Sequence, residues 1–309
     1  MEIQGLRRGD KVVILSPASS IRPEYVEGAV STFREWGWRP EVMPHTLGSR
    51  GSFSGSVQER LADFSAALLD PEVRAIICSR GGYGCVHLLG ELDRLMSTPL
   101  VRDNPKWLVG FSDVSALHAL WGLHGLPSVH ASMTKQLAAG GPDNLENLSL
   151  RDILRGQVDG ITLPTALSGS EYGRENRCGD CRGMVVGGNL AVLGGLIGTP
   201  FNPIRPGTIL LVEDIAEPIY KVERILWQLR LAGIFDRLAG LLVGQFTDYN
   251  HPSRDYSDMY AMIADFTRGC GFPVAMDIPV GHIDGNRPLL LNRPARMSVT
   301  PDSVNLDYL

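Results

Sequence analysis

The residue most clearly placed to carry out a reaction is Ser112, which stands where an apolar run ends and a helical pattern begins. The apolar run over 107–111 predicts a buried strand, and the apolar spacing over 113–123 predicts a helix. A serine on such a sharp turn presents its hydroxyl away from the fold, and the backbone N–H of Asp113 would face an oxyanion formed beside it. This arrangement indicates a nucleophile elbow. Because serine is also a favoured N-cap residue, a simple helix cap is the alternative.

The G-x-S-x-G signature of nucleophile elbows is only partly present. Gly110 stands two residues before Ser112, where it relieves crowding at the turn, but Val114 occupies the place of the second glycine. This stretch alone therefore leaves both the nucleophile and the helix cap open.

Two further residues could complete a serine-dependent site. Glu213 ends an apolar strand, where its carboxylate could orient a histidine, although it could equally cap the following helix. His282 lies in a glycine-containing loop after an apolar strand, and catalytic residues concentrate in such loops. His130, at the end of a strand, is the rival base, whereas His118 lies on the helix after the elbow and is predicted to be structural. The chain order Ser, Glu, His is that of α/β-hydrolases.

A glycine-rich segment, Arg-Gly-Gly-Tyr-Gly at 80–84, follows another apolar strand. Its glycines allow the backbone to approach a ligand and leave N–H groups available. A phosphate cradle, half of an oxyanion hole beside the Asp113 N–H, and a plain turn are all open interpretations. The segment lacks the Lys-Ser/Thr of a P-loop and the spacing of a dinucleotide fingerprint, which disfavours a nucleotide enzyme.

Metal and cofactor signals are weak. Cys178 and Cys181 form a single C-x-x-C without a second pair at suitable spacing, and they lie in a stretch predicted to be irregular. We therefore expect neither a metal nor a cofactor.

The elements that position these residues alternate between strand and helix in the first half of the chain. This alternation predicts an α/β fold with a parallel, doubly wound sheet, in which ligands bind beyond the carboxyl ends of the strands. Three such ends carry the residues of interest, namely 16–20, 80–84 and 112–113. The predicted strands are 11–16, 39–43, 75–79, 107–111 and 126–132, and the main helices between them are 24–36, 57–69 and 113–123.

The second half of the chain is predicted to form another domain. Residues 163–183 are rich in glycine, serine and charge with little periodicity, so we predict a linker there. The N-terminal domain would then span 1–162 and carry Ser112. The C-terminal domain would span 184–309, carry Glu213 and His282, and contain a strong helix at 219–232 beside short strands of mixed or barrel-like arrangement. A site drawn from both domains fits an interdomain cleft.

Composition excludes several function classes. The 309 residues carry a net charge of −5 without a Lys/Arg cluster, which argues against a nucleic-acid partner. No apolar run approaches the roughly 20 residues of a membrane helix, and no apolar signal segment is recognisable. Five cysteines do not indicate a disulfide framework. We expect a soluble, cytoplasmic protein.

Five motifs, taken together and in order, resemble the LD-carboxypeptidase family of serine peptidases, which includes the muramoyltetrapeptide carboxypeptidases and the microcin-immunity peptidases. The resemblance covers nearly the whole chain. The motifs are Ser-Arg-Gly-Gly-Tyr-Gly at 79–84, Val-Gly-Phe-Ser-Asp at 109–113, Gly-Gly-Asn-Leu at 187–190, Leu-Val-Glu-Asp at 211–214 and Val-Gly-His-Ile-Asp-Gly-Asn at 280–286.

This resemblance implies roles for individual residues. Ser112 would be the nucleophile, His282 the general base, and Glu213 the residue that orients His282. The backbone N–H groups of Gly82 and Asp113 would form the oxyanion hole. The family fold has an N-terminal Rossmann-like domain and a smaller C-terminal domain with β-barrel character, and family members need no metal and are typically homodimers.

The resemblance also implies a substrate. The carboxypeptidase branch cleaves the bond between the L-centre of meso-diaminopimelate and the terminal D-alanine of cytoplasmic muropeptide tetrapeptides, in cell-wall peptide recycling. Recognition of a free carboxylate needs a cation or backbone amides, for which Arg80 and Lys135 are candidates.

Two alternatives remain beside this reading. A microcin-immunity peptidase, which cleaves a peptide–nucleotide conjugate, would want an aromatic surface for the base, yet all five tryptophans have plausible core roles. A non-catalytic two-lobe protein that binds a small molecule is the alternative from another class.

Overall fold

Two units make up the chain, and each is built on its own sheet. The computed structural model describes residues 3–249 and 253–309. The first unit contains Met1–Val158 and the short segment Arg287–Leu290, and the second contains Asp159–Asn286 and Leu291–Leu309.

The described residues form the following elements. The strands are β1 (Lys11–Leu15), β2 (Arg39–Val42), β3 (Val73–Cys78), β4 (Trp107–Gly110), β5 (Ser128–His130), β6 (Gly160–Pro164), β7 (Gly179–Asn189), β8 (Thr208–Ile215), β9 (Gly240–Thr247), β10 (Val274–Ala275), β11 (Leu289–Leu291), β12 (Arg293–Val299) and β13 (Ser303–Tyr308). The α-helices are α1 (Pro23–Glu35), α2 (Val57–Leu69), α3 (Leu89–Met96), α4 (Pro99–Arg102), α5 (Ser115–Leu123), α6 (Thr134–Gly140), α7 (Leu145–Leu154), α8 (Leu190–Leu196), α9 (Ile219–Leu231) and α10 (Met259–Thr267). Short 3₁₀ turns lie at Cys85–Leu88, Ser112–Val114, Glu171–Arg174 and Phe235–Arg237.

The first unit is organised by a six-stranded sheet in the order β11-β5-β4-β3-β1-β2. Strands β1 to β5 pair in parallel, with β3 between β1 and β4. The apolar residues of β1, β3, β4 and β5 are almost fully buried, as expected for strands covered by helices on both faces, whereas the edge strand β2 is largely exposed. The predicted parallel α/β architecture is confirmed. Because β1, β3 and β4 are adjacent and parallel, the segments that follow them emerge at one edge of the sheet.

The second unit contains a mixed seven-stranded sheet in the order β10-β9-β8-β7-β12-β13-β6. Strands β7 to β10 pair in parallel, whereas β12 pairs antiparallel with both β7 and β13, and β13 pairs antiparallel with β6. Helices α9 and α10 contribute apolar residues to a buried cluster with the parallel strands. The parallel half of this sheet positions Glu213 at the end of β8.

The segment predicted as a linker, 163–183, differs from that expectation because it lies within the second unit. It contains the end of β6, a 3₁₀ turn and the first residues of β7. Asn176 accepts a hydrogen bond from the Met276 N–H at 2.8 Å, and Ser168 donates through its N–H and its hydroxyl to Asp277, each at 2.7 Å. Side-chain hydrogen bonds to distant residues order this segment. Because such bonds need no regular spacing of apolar residues, the sequence of the segment shows no periodicity.

Helix α9 confirms the strongest helix prediction, since it ends two residues before Gly233, whose φ is 66°. Its tryptophan corrects another expectation: Trp227 is 44% exposed, whereas the other four tryptophans are buried. Within the two described ranges, no helix is both long and apolar enough to cross a membrane.

Candidate active site

Ser112 adopts the left-handed backbone conformation, with φ of 64°. It follows the predicted strand β4 and begins a 3₁₀ turn that leads into α5, so the strand-to-helix turn expected from the sequence is present. A non-glycine residue in this region is strained by about 1–3 kcal/mol and persists only where the surrounding structure enforces it. The backbone at Ser112 therefore has the geometry of a nucleophile elbow.

Glycine is required on both sides of this elbow. A Cβ atom at Gly110 would lie 2.9 Å from Val114 Cγ1. The missing side chain at Gly110 therefore makes room for Val114, which occupies the place of the second glycine in G-x-S-x-G. A Cβ atom at Gly81 would lie 2.8 Å from the Ser112 Cβ. The 80–84 segment thus packs directly against Ser112, as the oxyanion-hole interpretation of that segment requires.

The side chain of Asp113 fastens the 80–84 segment to the elbow. It is buried, and its Oδ2 accepts a hydrogen bond from the Cys85 N–H at 2.8 Å. From the sequence, only the backbone N–H of Asp113 was expected to take part in the site. The carboxylate adds a second role, because it holds the glycine-rich segment in register with the turn that begins at Ser112.

Arg60 is a supporting residue that the sequence analysis missed. Its guanidinium is buried, and Nη1 donates to the carbonyl oxygens of Pro17 at 2.6 Å and Gly84 at 3.0 Å. Its Cζ also lies 4.9 Å from the centre of the Phe53 ring. Burial lowers the pKa of Arg60. Arg60 joins the segments after β1 and β3, and no local pattern marks it because helix α2 reads as an ordinary amphipathic helix.

His118 supports the strand before the elbow. Its Nε2 lies 2.9 Å from the Gly110 carbonyl oxygen and its Nδ1 lies 2.8 Å from the Ser128 hydroxyl. A carbonyl oxygen only accepts, so Nε2 carries the proton, and Ser128 donates to Nδ1. Burial lowers the pKa of His118 to about 3. These contacts support the structural role predicted for this residue.

Glu213 and His282 are brought together in the second unit. Glu213 is fully buried at the end of β8, and its Oε2 lies 2.7 Å from His282 Nδ1. Because a carboxylate accepts, Nδ1 carries the proton and donates, which leaves Nε2 as the ring nitrogen able to take a proton. Gly281 has φ of 137°, and its N–H donates to Asn286 Oδ1 at 2.9 Å. Asn286 is buried and so anchors the loop that presents His282.

Asp214 and His130 both have structural contacts. Asp214 accepts from the Ala191 N–H at 2.8 Å, in the first turn of α8, whose N-cap is Asn189. Burial, followed by the charge of Glu213, raises the pKa of Asp214 to about 6. His130, the rival base, is fully buried and packs against the Phe111 ring at 5.8 Å between ring centres. A buried strand position beside an aromatic ring is typical of a core histidine.

The two cations proposed to recognise a carboxylate are both exposed. Arg80 donates from Nη1 to the Ser20 carbonyl oxygen at 3.0 Å, which links the segments after β3 and β1. Lys135 lies in the first turn of α6. The residue before it, Thr134, donates from its hydroxyl to the Ser79 carbonyl oxygen at 2.8 Å. Both cations therefore follow elements anchored to the carboxyl edge of the first sheet.

The C-x-x-C pair lies at the start of β7, with Cys178 just before the strand. Cys178 is exposed, and Cys181 is within β7, where burial and then the charge of Asp180 raise its pKa to about 11. Cys181 is therefore a protonated thiol near neutral pH. Among residues 3–249 and 253–309, no group of three or more His, Cys, Asp or Glu side chains is arranged to hold a metal ion.

Comparison with known proteins gives a consistent result across the chain. The family model described as the LD-carboxypeptidase N-terminal domain matches residues 12–131, and the one described as the LD-carboxypeptidase C-terminal domain matches residues 182–297. The murein tetrapeptide carboxypeptidase of Pseudomonas aeruginosa is 30% identical over 286 residues, which cover 90% of this chain and 89% of that protein.

Solved structures share the same architecture. The crystal structure of muramoyltetrapeptide carboxypeptidase from Oxalobacter formigenes has a TM-score of 0.82 at 25% identity and covers 96% of this chain and 98% of that chain. The structure of MccF in complex with glutamyl sulfamoyl guanosine has a TM-score of 0.83 at 22% identity and covers 99% of this chain and 98% of that chain. The likeness to MccF at this identity concerns the fold.

The close approach at Gly82 yields a stability prediction. Its φ is 106°, and a Cβ atom there would lie 2.1 Å from Ser19 Oγ. We expect Gly82→Ala to lower the free energy of unfolding by about 1–3 kcal/mol from backbone strain, measured by urea denaturation. Gly90→Ala is the matched control, because a Cβ at this exposed helical position meets nothing within 4 Å. Equal stability of Gly82→Ala and the wild type would contradict the steric argument.

Burial of His118 predicts a pH dependence of stability. Its pKa is about 3 in the folded protein, against 6.5 ordinarily, so the unfolded state binds one more proton between these values. Its contribution to the free energy of unfolding therefore falls by about 1.4 kcal/mol per pH unit below 6.5. In His118→Gln, the slope of unfolding free energy against pH between 6 and 5 should be shallower by about 1.4 kcal/mol per pH unit, which corresponds to one proton. Parallel slopes for the two proteins would show that His118 is not the group responsible.

Proposed function

This chain belongs to the LD-carboxypeptidase family of serine peptidases, and on that premise we propose that it removes the terminal D-alanine from muropeptide tetrapeptides. It is a serine-type carboxypeptidase. The scissile bond in this proposal joins the L-centre of meso-diaminopimelate to D-alanine. The observation that carries the reaction type is the left-handed backbone of Ser112, which places a hydroxyl on a strained turn where a simple helix cap would have ordinary extended geometry.

Each member of the proposed triad has a defined task. The Ser112 hydroxyl attacks the scissile carbonyl carbon while His282 Nε2 accepts its proton, and Glu213 stabilises the resulting imidazolium. The contact of 2.7 Å between Glu213 and His282 supports this assignment. His282 then protonates the leaving amine of D-alanine as the carbon–nitrogen bond breaks. Water attacks the resulting ester, and the same histidine takes its proton and returns one to Ser112.

Charge that develops on the carbonyl oxygen needs donors that are already oriented. The backbone N–H groups of Gly82 and Asp113 are the proposed donors. Support comes from the packing of Gly81 on Ser112 and from the hydrogen bond between Asp113 and the Cys85 N–H, since both hold the glycine-rich segment beside the elbow. Arg80 and Lys135 are the proposed partners of the substrate's free carboxylate, supported by their exposure beside anchored elements of this edge.

A muropeptide substrate is favoured by the relative from Pseudomonas aeruginosa, whose name states that it acts on a murein tetrapeptide. This substrate would give the enzyme a role in the cytoplasmic recycling of cell-wall peptide, without a membrane or nucleic-acid partner. Cleavage of a peptide–nucleotide conjugate is the alternative that the fold likeness to MccF allows. A non-catalytic binding protein is disfavoured, because binding alone would not require a strained serine or a buried carboxylate–histidine pair.

A homodimer completes the proposal, and helix α9 supplies the support. Tyr220, Arg224, Trp227 and Leu231 form one exposed stripe at helical spacing, and Leu231 is 81% exposed. The Trp227 ring is oriented by Phe266, whose ring centre lies 5.5 Å away. Such a stripe of large apolar side chains marks an interaction surface.

A second copy of this chain fits the stripe because the pattern is self-complementary. If two α9 helices pair antiparallel about a two-fold axis between residues 225 and 226, Arg224 faces Trp227 of the partner subunit. Tyr220 then faces Leu231 of the partner subunit. The pairing places a guanidinium against an aromatic ring twice, and each such contact is favourable when it is desolvated.

The triad predicts a graded loss of activity. A muropeptide tetrapeptide incubated with the wild type in the presence of a chelator should lose one alanine mass by mass spectrometry. Ser112→Ala should fold normally and reduce turnover about 10⁶-fold, and Glu213→Gln should reduce it about 10⁴-fold. The exposed Ser31→Ala is the control and should be fully active. Turnover by Ser112→Ala would remove this serine from the mechanism, whereas cleavage of only a peptide–nucleotide conjugate would select the alternative substrate.

If the α9 stripe is the dimer interface, a charged side chain introduced into it should prevent dimer formation. Sedimentation velocity at micromolar concentration should give a dimer for the wild type and a monomer for Leu231→Glu. Leu145→Glu, at an exposed leucine on α7, is the matched control and should remain dimeric. A monomeric wild type, or a dimeric Leu231→Glu, would refute this interface.

A further inference from the structure

Two serine side chains occupy the spaces where Gly81 and Gly82 lack side chains of their own. A Cβ atom at Gly81 would lie 3.0 Å from Ser112 Oγ, and a Cβ atom at Gly82 would lie 2.1 Å from Ser19 Oγ. The peptide group that joins the two glycines is therefore flanked by the two hydroxyls. Its N–H is that of Gly82, the proposed oxyanion donor.

Ser19 is held in this position by its own backbone. It lies in the segment after β1, and its N–H donates to the Gly81 carbonyl oxygen at 3.2 Å. It also forms an isolated β-bridge with Phe53. The backbone of Ser19 thus contacts the glycine-rich segment on one side and Phe53 on the other. The Phe53 ring in turn packs against the Arg60 guanidinium. These contacts fix the Cβ of Ser19 beside Gly82, because a Cβ atom at Gly82 would lie 2.8 Å from it.

The Ser19 hydroxyl has no hydrogen-bond partner among residues 3–249 and 253–309, although the residue is only 9% exposed. Neighbouring serines behave differently: Ser16 donates to the Thr46 carbonyl oxygen and Ser54 donates to the Ser16 carbonyl oxygen, each at 2.7 Å. Among the described residues, Ser19 Oγ does not belong to the fully buried side-chain atoms that lack a partner, so this hydroxyl is reachable from solvent. It is therefore available to a ligand.

We propose that the Ser19 hydroxyl is a third donor of the oxyanion hole, an inference that rests on the proposed function. As the bond from Ser112 Oγ to the carbonyl carbon forms, the π electrons of the carbonyl move onto its oxygen. That oxygen accepts hydrogen bonds from the Gly82 N–H, the Asp113 N–H and the Ser19 hydroxyl. Ser19 keeps its proton throughout, and the charge is released when the carbon–nitrogen bond breaks and His282 protonates the nitrogen.

This role differs from recognition of the uncleaved substrate. A donor directed at the developing oxyanion strengthens in the transition state, so its removal lowers kcat and leaves KM nearly unchanged. A donor to the substrate's carboxylate would instead raise KM. Loss of one oxyanion donor in a serine hydrolase lowers kcat by about 10²–10³-fold. For Ser19→Ala we therefore expect a loss of about 100-fold in kcat.

The first experiment uses a probe that does not depend on the natural substrate. A fluorophosphonate reacts with an activated serine through a transition state that places an oxygen in the oxyanion hole. The rate of labelling at Ser112, followed by mass spectrometry of the intact protein, should fall about 100-fold in Ser19→Ala. Ser20→Ala is the matched control, because it removes the adjacent hydroxyl and leaves the Arg80 contact with the Ser20 carbonyl in place.

The second experiment separates the transition state from the ground state. Calorimetry should give the same dissociation constant for the uncleaved tetrapeptide with Ser112→Ala and with the double variant Ser112→Ala/Ser19→Ala. Steady-state kinetics of Ser19→Ala should show the loss in kcat. Thermal unfolding of each variant verifies that the fold is retained, and replacement of a hydroxyl by hydrogen at Ser19 leaves its backbone contacts in place.

The outcomes distinguish this inference from the proposed function. If Ser112 is labelled in the wild type but the tetrapeptide is not hydrolysed, the substrate assignment fails and the labelling rates alone decide the role of Ser19. Wild-type rates of labelling and turnover in Ser19→Ala would overturn the inference, as would weaker binding of uncleaved tetrapeptide with unchanged kcat. Absence of labelling at Ser112 in the wild type would overturn both.

Discussion

The backbone at Gly81 and Gly82 approaches Ser112 and Ser19 so closely that no side chain could be accommodated at either position. This contact depends on the order of the first sheet, because β3 lies between β1 and β4 and their following segments emerge together. Two polar anchors then hold the segments in place: the Asp113 carboxylate and the buried guanidinium of Arg60. Both side chains are buried and bond to main-chain groups, so they fix the backbone positions on which the close approach depends.

In the second unit, two acidic side chains are buried near the end of one strand, β8. Glu213 is fully buried and reaches His282, while Asp214 beside it accepts from Asn189 Nδ2 at 2.7 Å and from the first turn of α8. Burying two adjacent carboxyl groups is unfavourable, and the raised pKa of Asp214 reflects that cost. Their hydrogen-bond partners offset it, and the arrangement leaves the imidazole of His282 oriented by a carboxylate that water does not solvate.

The proposed mechanism explains how one fold is compatible with more than one substrate. In that proposal the strained serine, the glycine-rich segment and the carboxylate–histidine pair act on the bond that breaks, whatever is attached to it. What lies on either side of that bond must be recognised by residues outside this group, such as exposed cations. Membership of the family therefore supports the reaction type more strongly than it supports the identity of the substrate.

The sequence by itself determined the parallel sheet, the turn at Ser112 and the strand ends that bear the glycine-rich segment, because apolar runs, helical spacing and glycines are local patterns. The pairing of Glu213 with His282 was expected from resemblance, and only tertiary structure brings these residues, 69 positions apart, within 2.7 Å. The buried role of Arg60, the carboxylate of Asp113 and the position of Ser19 left no local pattern. Residues 163–183 looked irregular for the same reason: contacts with distant residues order them, and periodicity records only the faces of regular elements.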